Sequence, residues 1–136
     1  MDKKKVTESL RTDLEFCQNL LDLFHEFLGP GPLLPIQKDI DQIVPTSLQL
    51  RAKSIMDQRW KEHHPLPELN QTPEATHMHT LLHSFLKMAA KFIERSEDIH
   101  DPHEWAKNFQ SLFHQTQKSI YALDKKYGTG SLHKAA

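Results

Sequence analysis

The sequence predicts an all-α domain, an antiparallel four-helix bundle with an additional short helix in the first connector. Four segments place apolar residues three and four positions apart, which is the period of one helix face. Glycine occurs only four times in 136 residues, and this scarcity disfavours a turn-rich β fold. Most joints between the segments are short, as in bundles whose neighbouring helices run antiparallel. At this length we expect a single domain, residues 1–136.

The first predicted helix extends from Val6 to Leu28 and stops at a Gly-Pro-Gly-Pro run. Its main apolar stripe consists of Val6, Leu10, Leu14, Cys17, Leu21, Phe24 and Leu28. A second stripe lies beside the first and consists of Phe16, Leu20, Leu23 and Phe27. Since a bundle helix needs only one apolar stripe, the second one predicts either contact with a partner or another copy, or burial beneath the connector 33–44.

The connector 33–44 is predicted to contain the additional short helix, which Pro35 would open. A second long helix is then predicted to begin at a capping hydroxyl, Thr46 or Ser47. It is predicted to end near His63 and His64, because two prolines follow closely. The segment 65–72 is predicted to be a polar, proline-rich loop.

The third predicted helix begins at a Thr-Pro-Glu sequence, with Thr72 as its cap, and extends to about Asp98. The fourth begins at Asp101, where an acid three residues later completes a capping box. It ends at Gly128, and the last residues, 131–136, are predicted to form a short frayed tail.

The charge balance and the single cysteine restrict the class of protein. A net charge of -1, from 17 basic and 18 acidic residues, argues against a dedicated nucleic-acid or membrane-surface binder. No apolar run reaches about 18 residues, so no transmembrane helix is predicted. Cys17 lies on an apolar stripe, where we expect a buried thiol. Because the N-terminal residues are too polar for a secretory signal, we expect a cytoplasmic protein.

The chain is histidine-rich, with ten histidines that fall mainly near the ends of the predicted helices. In an up-and-down bundle the end of the second helix lies near the start of the third, which would bring His63, His64, His77 and His79 together. Neutral imidazoles suit zinc or nickel, although no cysteine or carboxylate completes a tetrahedral set. The cluster is therefore a candidate for weak metal binding, or for a pH response as imidazoles acquire charge near pH ~6.

Arg95 and His100 are separated by four residues at the junction of the third and fourth predicted helices, and Arg59 and His64 have the same spacing. On a small helical bundle, an Arg and a His with four to six residues between them resemble the motif of the HEPN-family ribonucleases. The resemblance implies that the arginine would neutralise the scissile phosphate and that the histidine would transfer a proton at the 2′-hydroxyl. RNA cleavage by Arg95 and His100 is thus an alternative function.

Other catalytic signatures are missing from the sequence. It contains no P-loop, no glycine-rich dinucleotide turn, no nucleophile elbow and no zinc-protease motif. The preferred prediction is a non-enzymatic protein-interaction module without a cofactor, such as an adaptor, a chaperone-like protein or a regulatory protein. Its predicted partner-binding or self-association residues are the second stripe of helix one, Phe16, Leu20, Leu23 and Phe27.

Overall fold

The structure, a computed structural model, describes residues 2–28, 46–62, 66–94 and 101–134. Within these ranges it contains helices joined by turns and bends and no β-strand, which confirms the predicted all-α class. The short helix predicted in the connector 33–44 lies outside the described residues. The described helices are α1 (Lys3–Leu28), α2 (Thr46–Glu62), α3 (Pro67–Asn70), α4 (Pro73–Glu94), α5 (Pro102–Tyr127) and α6 (Ser131–Lys134).

Two long helices begin at the caps that the sequence predicts. The backbone N–H of Glu104 donates to the Asp101 carboxylate over 3.1 Å at the start of α5. At the start of α4, the backbone N–H of Ala75 donates to the Thr72 hydroxyl over 3.2 Å. Each cap satisfies a backbone donor that has no partner within its helix, so the starting residues are fixed locally.

Two segments that were predicted to be irregular are helical instead. Helix α3 lies inside the predicted loop 65–72, and its Leu69 is buried. Helix α6 occupies most of the predicted frayed tail, and its Leu132 is only 5% exposed. Each of these short helices buries one leucine in the core, because so few residues cannot form a stable helix without tertiary contacts.

The centre of the core is a cluster of aromatic side chains from α1, α4 and α5. The ring of Phe24 meets the rings of Phe92 and Phe109 edge to face, with centroids 5.2 Å and 5.0 Å apart. Phe109 also stacks on Phe85 at 4.3 Å and on Trp105 at 4.9 Å. Such pairs add about 0.5–1.5 kcal/mol each beyond the burial of their area.

Helix α5 packs against two of the other long helices. It packs against both α1 and α4, while α2 packs against α1. Thr7, near the start of α1, bonds to Asp124, near the end of α5. Glu74, in the first turn of α4, bonds to Tyr127, the last residue of α5. The end of α5 therefore lies beside the starts of α1 and α4.

None of the helices among the described residues is long and apolar enough to cross a membrane.

We expect Phe109→Ala to lower the free energy of unfolding by about 3–5 kcal/mol, because it removes a ring in contact with three others and leaves a cavity. Urea denaturation measures the loss. Leu50→Ala is the control, since Leu50 is 61% exposed and its removal should cost less than about 0.5 kcal/mol. Equal effects of the two substitutions would contradict this description of the core.

Candidate functional site

The structure describes half of the predicted histidine cluster. His77 is exposed and His79 is half-buried in the first turns of α4, whereas His63 and His64 lie outside the described residues. Within the part of the chain that is described, no three His, Cys, Asp or Glu side chains are grouped closely enough to hold a metal ion. Binding of zinc or nickel by the four histidines stays a prediction.

The two Arg–His pairs differ in what the structure describes. Arg95 and His100 lie outside the described residues, so RNA cleavage by this pair also stays a prediction. In the other pair, Nη2 of Arg59 lies 3.2 Å from Oδ1 of Asp13. The Arg59 guanidinium also lies 5.2 Å from the centroid of the Phe16 ring. An ion pair and a cation–π contact thus direct this arginine towards α1 and compensate its charge there.

The second apolar stripe of α1 is buried within the chain. Phe16 is 4% exposed, Leu20 0% and Leu23 2%, and the side chain of Phe27 lies outside the described residues. Helix α2 helps to cover this stripe, since Arg59 lies over the Phe16 ring. A partner cannot reach these three side chains while they are buried, and the predicted burial beneath the connector 33–44 lies outside the described residues.

Cys17 is buried, as the sequence predicts, and its thiol is chemically inert in this environment. Burial, together with a smaller contribution from the nearby charge of Asp13, raises the pKa of the thiol to about 12. Since the thiolate is the nucleophilic form, Cys17 is not suited to nucleophilic chemistry at neutral pH.

A buried polar cluster, which we call the terminal clasp, joins the start of α1 to the residues around α6. The Thr7 hydroxyl donates to Oδ1 of Asp124 over 2.5 Å, and the backbone N–H of Leu132 donates to Oδ2 over 3.0 Å. The backbone N–H of Thr129 donates in turn to the Thr7 hydroxyl over 2.8 Å. Asp124 is only 1% exposed, so these bonds offset the cost of burying its carboxylate.

Gly128 makes the terminal clasp sterically possible. A Cβ atom at this position would lie 2.3 Å from Oδ1 of Asp124 and 2.6 Å from the Thr7 hydroxyl oxygen. The sequence predicts Gly128 only as a helix terminator. The clasp was missed because Thr7 and Asp124 are 117 residues apart, and a single Thr and a single Asp form no local pattern.

A second polar contact ties the start of α4 to the end of α5. Lys126 and Tyr127 both donate to the Glu74 carboxylate, the tyrosine hydroxyl over 2.9 Å. These donors, Lys126 foremost, lower the pKa of Glu74 from 4.5 to about 2. The same hydrogen bond raises the pKa of Lys126.

An open groove of about 600 Å³ runs along the outer sides of α4 and α5, with Glu74 at one end. Leu81 is half-buried and Ala122 is exposed, and they give the groove apolar surface. His77 and Lys118 are exposed and supply its polar side chains. The groove thus combines apolar and polar side chains in its lining.

Comparison of the chain with protein-family models, with curated proteins and with solved structures gives no match. What the chain binds must therefore be inferred from its own surfaces and charges.

We expect Thr7→Val to lower the free energy of unfolding by about 1–3 kcal/mol, because it leaves Asp124 with an unsatisfied buried oxygen. Thr80→Val is the matched control, since the exposed Thr80 hydroxyl bonds only to the carbonyl of Thr76 in its own helix. Urea denaturation of both variants is the measurement. A Thr7→Val variant as stable as Thr80→Val would show that the clasp does not stabilise the fold.

The contact at Glu74 predicts a pH-dependent contribution to stability. A pKa lowered in the folded state means that the unfolded chain binds the proton more tightly, so protonation favours unfolding. The contribution is complete above pH 4.5 and is lost as the pH falls to about 2. We therefore expect the Tm difference between wild type and Glu74→Gln to shrink across this interval.

Thermal melts of wild type and Glu74→Gln between neutral pH and pH 2 measure this difference. The control repeats the Glu74→Gln substitution in a chain that already carries Lys126→Met. Because the main donor to Glu74 is then absent, Glu74→Gln should change the Tm by less than it does in the wild type. A Tm difference that stays constant down to pH 2 would contradict the assigned contact.

Proposed function

We propose that the chain is a small, non-enzymatic helical module that binds another protein, as an adaptor, a chaperone-like protein or a regulatory protein does. In this proposal its scaffold is an antiparallel four-helix bundle formed by α1, α2, α4 and α5, and it acts in the cytoplasm without a cofactor. The observation that supports the proposal is the open groove along α4 and α5.

The groove has the properties of a preformed docking surface. Phe85 of α4 stacks on Phe109 of α5 in the core, and the Glu74 contact ties the same two helices at one end. Between them, Leu81 and Ala122 present apolar surface next to polar side chains. An amphipathic helix laid along such a groove would bury its apolar face and would leave its polar face in water.

The second stripe of α1 is a binding surface in this proposal only if its side chains become exposed. Of Phe16, Leu20, Leu23 and Phe27, the first three would contact a partner or another copy only in a state that exposes them, and for Phe16 that state requires α2 to leave α1. That separation breaks the ion pair between Asp13 and Arg59 and exposes the Phe16 ring to water. The groove is accessible without this cost.

Capture from a lysate of the source organism tests the proposal. Ala122→Trp places a large side chain in the groove, and Ser54→Trp places the same side chain on an exposed position of α2. We expect wild type and Ser54→Trp to retain the same partner and Ala122→Trp to lose about tenfold or more of it, as for a blocked contact centre. Equal retention by Ala122→Trp would refute binding through the groove.

A further inference from the structure

The central parts of α4 and α5 contain no acidic residue. Neither 75–92 nor 105–123 holds an Asp or a Glu. These two stretches instead contain basic or titratable side chains, of which all but His79 are exposed: Lys87, Lys91, Lys107, Lys118, His77, His79, His83 and His114.

By contrast, the stretch 6–25 of α1 is acidic. Between residues 6 and 25 it carries four acids, Glu8, Asp13, Glu15 and Asp22, against one arginine. Apart from the buried Asp13, these carboxylates are exposed. The near-zero net charge thus conceals an acidic stretch of α1 and the acid-free central stretches of α4 and α5. An acidic ligand would be attracted towards α4 and α5, because electrostatic complementarity steers association.

Two adjoining grooves lie along part of this region. A second groove of about 430 Å³ on α5, which begins at Lys107, shares Gln115 and Lys118 with the first. Together the two grooves extend from Lys107 to Ala122, which at about 1.5 Å per residue is roughly 22 Å. That length matches a helix of about four turns. Glu74, at the far end, is already bonded to two donors.

We propose that this surface, which we call the α4–α5 face, binds an acidic amphipathic helix of a partner protein. The partner's apolar side chains pack on Leu81 and Ala122, and its carboxylates face the basic side chains of α5. Lys107, His114 and Lys118 are spaced by seven and four residues, so they lie along one line of the helix. The inference rests on the proposed function and specifies the chemistry of the partner.

A protein helix fits the α4–α5 face better than other anionic ligands. The segments 75–92 and 105–123 contain no arginine, and their Phe, Trp and Tyr side chains are buried or half-buried. The face therefore lacks the bidentate phosphate contacts and the stacking platforms that nucleic acids use. A membrane surface requires exposed apolar side chains for insertion. Among the described residues the large exposed one is Leu50, which lies on α2.

The probe for the test is a fluorescent helical peptide of about 16 residues, with leucines along one face and glutamates beside them. We expect fluorescence anisotropy to give a Kd of roughly 10–100 μM for the full chain. The double variant Lys107→Glu, Lys118→Glu should bind the peptide about tenfold more weakly or worse. The control, Lys4→Glu with Lys53→Glu, makes the same charge change at exposed positions of α1 and α2 and should bind as wild type does.

Reversed charges provide a second arm of the test. A peptide with lysine in place of every glutamate should bind the double variant more tightly than it binds wild type. The proposal is overturned if the double variant keeps the wild-type Kd for the acidic peptide, or if a peptide with serine in place of leucine binds equally well. Tighter binding of duplex DNA or phosphatidylserine vesicles than of the peptide would also overturn it. If the wild type self-associates and the double variant does not, the α4–α5 face binds a second copy of the chain, and this too would overturn the proposal.

The double variant also separates this inference from the proposed function. Ala122→Trp could lose a cellular partner that the double variant still binds. That result would overturn the inference that the partner is acidic, but it would leave the proposed protein-binding role intact. Capture that neither substitution changes would overturn the protein-binding role of the groove itself.

Discussion

The aromatic packing around Phe109 is the interaction on which the remaining structure depends. Its ring contacts Phe24 of α1, Phe85 of α4 and Trp105 of its own helix, so three helices meet at one side chain. Because the stacked rings hold α4 and α5 together there, the groove on their outer sides is already formed in the absence of a ligand. A preformed surface of this kind binds at a lower entropic cost than one that must first be ordered.

Polar contacts then select one alignment of these helices among those that apolar packing alone would allow. The ion pair of Asp13 with Arg59 relates α1 to α2, and the bond of Thr7 to Asp124 relates α1 to α5. A helix that slid by one turn would keep much of its apolar contact but would leave a buried carboxylate without its donor, which is costly. The apolar core therefore supplies most of the stabilisation, and the few buried charges make the arrangement specific.

What the sequence predicts correctly is local, and what it misses depends on distant residues. The caps at Thr72 and Asp101 follow from neighbouring residues, and so do the apolar stripes. The partners of Asp124 could not be predicted, because they lie at the other end of the chain. Helices as short as α3 and α6 have no periodic signal. The charge of the α4–α5 face was overlooked for another reason: a net charge sums over the whole chain and discards position.

The terminal clasp has a mechanical consequence. It connects Thr7 near the start of the described chain to Thr129 and, through Asp124, to Leu132 near its end. A force that pulls the two ends apart would therefore load these few side-chain hydrogen bonds before it loads the aromatic core. Once they break, α1 would peel away from α5 one turn at a time, starting from its first turn. The chain would thus yield at low force when stretched from its ends.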